Sequence, residues 1–148
     1  MMSLETLLAA VLLPLFPACR TAAQYRTLAV SSTGQEVAIV QLDFFHIDWA
    51  ATEVRLYVCV ENLTDERLEL VRDDARMTTA GVESRPVRQH PEDLSIPAGE
   101  LRWISLWFPA AETTQALVHE VHLALRRGDE LVPVDHVVWT DDLDQFDE

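Results

Sequence analysis

The sequence has 148 residues, the length of one domain, and 49% of them are hydrophobic, which excludes a disordered chain. A chain of this size buries roughly two thirds of its unfolded surface, so its core needs neither a metal nor a disulfide. The formal net charge of −14 repels phosphate backbones and no basic patch offsets it, so we expect no nucleic-acid binding.

The N-terminal segment has the pattern of an export signal. Residues 7–16 form an apolar run that is too short for a bilayer core of about twenty residues, but it matches the central region of a secretory signal. Phe16-Pro17-Ala18-Cys19 follows directly. A small residue before a cysteine at this place resembles the lipobox of bacterial lipoproteins, in which the cysteine becomes the first mature residue and carries the acyl chains. The resemblance implies lipidation of Cys19, a membrane anchor and a location in the bacterial cell envelope, on the periplasmic side of a membrane or at the cell surface.

Two other interpretations of this segment stay open: the cleaved signal of a secreted protein, and the N-terminal helix of a cytosolic protein. We expect the signal to span residues 1–18 and a tether to span 19–24. If Cys19 is acylated, the second cysteine, Cys59, is an unpaired thiol, which is uncommon in an oxidising compartment. Without acylation the two cysteines can form a disulfide. The simplest interpretation of Cys59 is a small, half-buried residue on a strand.

Residues 25–140 form the predicted folded domain, and their dominant pattern is the period-two alternation of β-strands. An edge strand is expected at 25–30. A long extended stretch follows at 37–49, and its alternation slips near Phe44-Phe45, which predicts a β-bulge or a strand shared between sheets.

The clearest strand is 53–61, where aliphatic residues alternate with polar ones. A turn at 62–66 follows it, because Asn and Asp side chains bond to nearby backbone groups. A second turn, Pro97-Ala98-Gly99-Glu100, leads into a strand at 101–108 that places three large apolar residues on one face: Ile104, Leu106 and Phe108.

Two further strands, 117–125 and 131–139, are separated by a hairpin turn at 126–130. A helix over 114–126 competes with the first of them, but its apolar residues do not form a helical stripe, so we favour a strand. The acidic tail at 141–148 is expected to be solvated, or else to be a short docking peptide.

Short turns between strands, without long helices, predict an all-β sandwich or barrel of about seven antiparallel strands. The segments VRLYVCVENLTDERLEL and IPAGELRWISLWF, within residues 54–108, resemble the immunoglobulin-like domains of small bacterial surface lipoproteins. Those domains pair a Val-rich strand ending in Asn with a later Pro-Ala-Gly-Glu turn and an aromatic strand. The resemblance implies an immunoglobulin-like antiparallel β-sandwich in a family whose members are mostly non-catalytic.

Trp103 and Trp107 are the candidates for a binding face. They share the side of their strand that is opposite its apolar residues. A solvent-facing pair of indoles forms a patch of roughly a few hundred Å², which is near the size that marks a binding surface. Tyr57 joins the pair if its strand is a neighbour. The alternative is that a loop or the N-terminal segment covers the two tryptophans.

The sequence carries no catalytic or cofactor motif. His119 and His122 lack the zinc-protease spacing, and on a strand they point to opposite faces. No other pair among the five histidines has ligand spacing. Serine residues lack a Gly-x-Ser-x-Gly context. We therefore expect no enzyme, no metal and no cofactor.

These patterns favour a non-catalytic, envelope-anchored β-sandwich lipoprotein that binds a protein or glycan partner or acts as a structural accessory. One alternative is a periplasmic carrier of a metal or other ligand, suggested by the histidines and many carboxylates. The other is a cytosolic adaptor or assembly subunit whose N-terminus is an interface helix.

Overall fold

The alternating pattern produces β-strands along almost all of the described chain. A computed structural model describes residues 25–48, 53–109 and 118–139, so the expected signal (1–18), tether (19–24) and acidic tail (141–148) lie outside the described residues. A single 3₁₀ turn, Arg72–Asp74, interrupts the strands within those residues. The strands are β1 Tyr25–Val30, β2 Glu36–Asp48, β3 Glu53–Asn62, β4 Leu68–Leu70, β5 Arg76–Thr79, β6 Val82–Ser84, β7 Arg88–His90, β8 Ser95–Ile96, β9 Leu101–Pro109, β10 Val118–Arg127 and β11 Glu130–Trp139.

The strands form two antiparallel sheets. One has five strands in the order β1-β2-β3-β9-β7. The other has the order β6-β5-β10-β4-β8, and β11 also pairs with β10. Strands β5 and β4 pair with successive parts of β10, which lets two short strands share one long neighbour. The two sheets form an all-β antiparallel sandwich, as predicted.

The core lies between the two sheets and consists of the side chains on one face of each long strand. Every second residue of β3 from Val54 to Val60 is without solvent exposure, and Phe108 is among the largest fully buried side chains. Burying a side chain of this kind stabilises the fold by about 1.5–3 kcal/mol. The apolar face predicted for the strand 101–108 is confirmed, because Ile104, Leu106 and Phe108 lie in the core. Strand β10 contributes Val121, Leu123 and Leu125 to the same core.

Strand β2 contains the irregularity that its sequence predicts. Leu42 pairs with Val58, whereas Phe44 pairs with Tyr57, so Asp43 is an extra residue on β2. Such a bulge bends the strand and increases its twist. The slip in the alternation near Phe44-Phe45 therefore has a local structural cause.

The turn after β3 is organised by the buried side chain of Asn62. Its amide nitrogen Nδ2 donates to the carbonyl oxygens of Glu66 at 2.7 Å and Ile96 at 2.9 Å. Its Oδ1 accepts from the backbone N–H of Thr64 at 2.9 Å and from the hydroxyl of Thr64 at 2.8 Å. The turn expected at 62–66 is confirmed, and Asn62 also ties it to β8.

Five of the eleven strands, β4 to β8, have only two to four residues. They raise the number of strands above the roughly seven expected from the sequence. Alternation over so few residues gives almost no signal, and β6 shows none, because its first two residues are both exposed. Among them, β4 and β5 pair with the long strand β10 and β7 pairs with β9, whereas β6 and β8 pair with β5 and β4.

Candidate partner-binding face

The candidate site lies on the outer side of the five-stranded sheet, opposite the core. Strands β3 and β9 pair so that Arg55 lies opposite Trp107 and Tyr57 lies opposite Ser105. Successive side chains alternate between faces, so these residues and Trp103 all point away from the buried row. The structure thus places Tyr57, Trp103 and Trp107, the three residues predicted from the sequence, on one face.

Five side chains on this face form a continuous series of contacts that crosses β7, β9 and β3. The guanidinium carbon of Arg88 lies 4.3 Å from the ring centroid of Trp107, and that of Arg55 lies 5.4 Å from the same centroid. Arg55 is also 5.0 Å from the ring centroid of Tyr57. The rings of Tyr57 and Trp103 are 5.0 Å apart with an interplanar angle of 35°. We call this series, from Arg88 to Trp103, the arginine–aromatic ladder.

Both arginines of the ladder are held by hydrogen bonds as well as by the rings. The hydroxyl oxygen of Ser105, which is buried, accepts from Nε of Arg55 at 3.2 Å and from Nη2 at 3.0 Å. The carboxylate of Glu53 accepts from Nε of Arg88 at 3.2 Å and from Nη2 at 2.9 Å. Two-point contacts of this kind fix the plane of a guanidinium group. The ladder is therefore ordered before anything binds to it.

The ladder is accessible at its surface. Trp103 is 37% exposed, Arg88 is exposed, and the other three members are half-buried. The alternative, in which a loop or the N-terminal segment covers both indoles, does not hold for Trp103. Rigid aromatic and arginine side chains dominate the energetic centres of protein interfaces. The ladder is therefore suited to binding a partner at the surface of the sheet.

Two members of the ladder, Arg55 and Arg88, were not among the sequence-predicted site residues. Arg55 had a detectable signal, because it lies two residues from Tyr57 in the part of β3 where burial alternates. Arg88 had none, because β7 has three residues and its place beside β9 is set by sheet topology.

A second part of the same outer face is covered. Cys59 lies opposite Gln41 on one side and Trp103 on the other, at an outward position of β3. Even so, Cys59 is 0% exposed and Gln41 is 2% exposed. The expectation that Cys59 is half-buried is wrong, since this outward position is shielded from solvent. Cys59 is disulfide-bonded, so it is not an unpaired thiol either. Cys19, predicted to be the lipidation site, lies outside the described residues.

The histidines are distributed as the strand assignment predicts. His119 is fully buried, with Nδ1 at 2.9 Å from the hydroxyl of Thr79. His122, on the opposite face of β10, binds the carboxylate of Asp135 through Nδ1 at 2.6 Å. The prediction that the first two histidines of β10 point to opposite faces is confirmed.

His136 is the most strongly perturbed titratable group among the described residues. Burial lowers its pKa to about 4, although the negative charge of Asp135 opposes this effect. Its Nδ1 is 3.3 Å from the hydroxyl of Thr27, and its buried Nε2 has no hydrogen-bond partner among the described residues. Burial also lowers the pKa of His119. Both histidines face the core, so they act on stability rather than on surface chemistry.

Within the described parts of the chain, no group of three or more His, Cys, Asp or Glu residues is placed to hold a metal ion. Among residues 25–48, 53–109 and 118–139, no helix has the length and apolar character needed to cross a bilayer.

Comparisons with known proteins give a structural similarity alone. No family model matches the chain, and no curated protein matches it. Among solved structures, a crystal structure of the yeast GGA1 GAE domain is similar with a TM-score of 0.37 and 7% sequence identity. The match covers 74% of this chain and 98% of that one.

Proposed function

We propose that this protein is a non-catalytic β-sandwich binding module of the bacterial cell envelope, and that it binds a protein partner through the arginine–aromatic ladder. The observation that carries the proposal is the ladder itself: five stacked Arg, Trp and Tyr side chains on the outer face of one sheet. Aromatic and arginine side chains with low conformational freedom lose little entropy on binding.

The geometry favours a protein over a glycan. Sugar rings stack on the free face of an aromatic ring, but Trp107 already has two guanidinium groups over its ring. Arg55 reaches it from β3 and Arg88 reaches it from β7, the two strands that flank β9. Trp107 is itself half-buried, and Trp103 already has one neighbour in Tyr57. Aromatic rings with guanidinium groups beside them suit the mixed polar and apolar contacts of a protein interface.

An exported location is part of the proposal. The export-type segment before Cys19 supports it, and so does the disulfide at Cys59, because disulfides persist in oxidising compartments and are rare in the cytosol. Acylation of Cys19 and a disulfide of Cys19 exclude each other, because both need the same sulfur atom.

In-cell photo-crosslinking tests the binding face. A photoreactive phenylalanine analogue replaces Trp103 in one variant, and in a matched control it replaces Val82, which is 51% exposed on β6 of the other sheet. We expect a discrete, protease-sensitive adduct at position 103 and none at position 82. Equal adducts at both positions, or none at position 103, would contradict the proposal. An adduct that resists protease and is lost with glycosidase would indicate a glycan instead.

A further inference from the structure

Arg55 differs from most arginines in the described part of the chain, because no carboxylate there forms an ion pair with it. It is half-buried, and its guanidinium group donates to the neutral hydroxyl of Ser105. Arg26 and Arg72 also lack an ion pair among the described residues, but both are exposed to water. The remaining arginines each pair with at least one Asp or Glu: Arg67, Arg76, Arg85, Arg88, Arg102, Arg126 and Arg127. Arg55 therefore carries a partly desolvated charge that the described residues do not neutralise.

The contrast with Arg88 shows which part of the Arg55 guanidinium group is left for a ligand. Both groups lie over the ring of Trp107, and both donate through Nε and Nη2. For Arg88 the acceptor is the carboxylate of Glu53, whereas for Arg55 it is a hydroxyl. Within the described residues, Nη1 of Arg55 and the second N–H of its Nη2 have no acceptor. These two nitrogens form the end of the fork that matches the two oxygens of a carboxylate.

We propose that Arg55 binds the carboxylate of an Asp or Glu side chain that the protein partner of the ladder presents. The inference rests on the proposed function and deepens it, because it names the chemistry of the partner residue. A half-buried charge without a counter-charge is costly, and an incoming carboxylate supplies that counter-charge. The ring centroids of Tyr57 and Trp107 lie 5.0 Å and 5.4 Å from the guanidinium carbon, so the group is already oriented when the partner arrives.

The surroundings of Arg55 favour a single acidic residue in an otherwise uncharged segment. The net charge of −14 repels phosphate groups and acid-rich stretches. The neighbouring members of the ladder, Tyr57 and Trp103, offer aromatic surface to uncharged side chains. Trp103 pairs with Cys59, four residues along β3 from Arg55, which is a distance of roughly 13 Å. An extended partner segment of about four residues therefore reaches from Arg55 to Trp103.

The photo-crosslinking assay at position 103 tests the inference when Arg55 is changed in the same chain. Arg55→Met keeps the unbranched stem but removes the charge. Arg26→Met is the matched control, at an exposed position of the same sheet. We expect the adduct to fall by more than about tenfold in Arg55→Met and to stay unchanged in Arg26→Met. Arg55→Lys, which keeps the charge but not the fork, should recover part of the adduct.

Changes in the partner give a second measurement that leaves this chain intact. Mass analysis of the adduct identifies the crosslinked peptide, and each Asp or Glu within about six residues of the attachment point is changed to Asn or Gln. We expect one of these changes to reduce the adduct by more than about tenfold with Arg55 present. The same change should have no further effect in Arg55→Met, because both changes remove one contact. If Arg55→Met does not fold, Arg55→Lys takes its place in this comparison.

Three results would overturn the inference while the proposed function stands. They are an adduct that Arg55→Met leaves unchanged, a crosslinked peptide without an acidic residue near the attachment point, and equal effects of the partner's change with and without Arg55. An absent adduct at position 103 in the otherwise wild-type chain would overturn the proposed function, and this inference with it.

Discussion

Arg88 and Trp107 lie side by side on neighbouring strands, with the guanidinium carbon 4.3 Å from the indole centroid. The same guanidinium group binds Glu53 through two nitrogens. A contact between a short edge strand and a long central strand is thereby fixed by a cation–π interaction and an ion pair together. These two interactions order the outer face of the sheet at Arg88 and Trp107.

A double-mutant cycle on this pair should show measurable coupling. Arg88→Ala and Trp107→Ala are compared with the double variant by urea unfolding. We expect a coupling energy of about 0.5–1 kcal/mol, the range for an exposed cation–π contact. Coupling indistinguishable from zero would mean that the two side chains are neighbours without a stabilising interaction.

Truncation of Trp103 should leave the fold nearly intact. Because the indole is partly exposed and outside the core, Trp103→Ala should lower the free energy of unfolding by about 1 kcal/mol. Phe108→Ala, which empties a fully buried position on the same strand, should cost about 3–5 kcal/mol. Equal losses in the two variants would place Trp103 in the core and remove it from the binding face.

Asn62→Ala should destabilise the fold by about 2–3 kcal/mol. The change removes the Asn62 amide donor from the carbonyl groups of Glu66 and Ile96 and the Asn62 oxygen acceptor from Thr64, although the Thr64 hydroxyl still reaches the Glu66 carbonyl. Leu63→Ala is the matched control, because the neighbouring Leu63 is exposed, and its effect should be small. Similar free energies of unfolding for the two variants would show that the turn does not depend on the Asn62 side chain.

Stability should fall between about pH 6.5 and pH 4 because of His136. Its pKa is about 4 in the folded protein and near 6.5 in the unfolded chain, so the unfolded chain binds the proton first as the pH falls. This contribution amounts to at most about 3 kcal/mol and is complete below pH 4. His136→Asn should flatten the pH dependence in this window.

The control for the pH experiment is Val137→Asn, an exposed neighbour of His136 on β11. It should leave the pH dependence between 6.5 and 4 close to that of the wild type. If His136→Asn and the wild type lose stability equally as the pH falls through this window, buried His136 does not set the acid sensitivity.

The long strands could be predicted from the sequence because one buried face imposes alternation over six or more residues. In β3 and β9 the alternation also indicated which side chains share the outer face, including Tyr57, Trp103 and Trp107. The short strands could not be predicted, because two to four residues carry no usable period. Arg88 was hidden for the same reason, since its position beside Trp107 comes from the pairing of β7 with β9.

The burial of Cys59 could not be predicted from the alternation of polar and apolar residues either. Alternation correctly places Cys59 on the outer side of β3, but it cannot indicate that this part of the side is covered. A pattern of polar and apolar residues describes one strand and its faces. It does not show whether an outward position such as Cys59 is buried in the folded chain.

The central claim is that the arginine–aromatic ladder binds a protein partner, and adduct yield at position 103 in ladder variants tests it most directly. Arg88→Ala is compared with Arg76→Ala, a change of a surface arginine on the other sheet that pairs with Glu83. If Arg88 belongs to the energetic centre of the interface, its loss should cost about 2 kcal/mol of binding and reduce the adduct by more than about tenfold. Arg76→Ala should leave the yield unchanged. Equal yields in both variants would contradict the account.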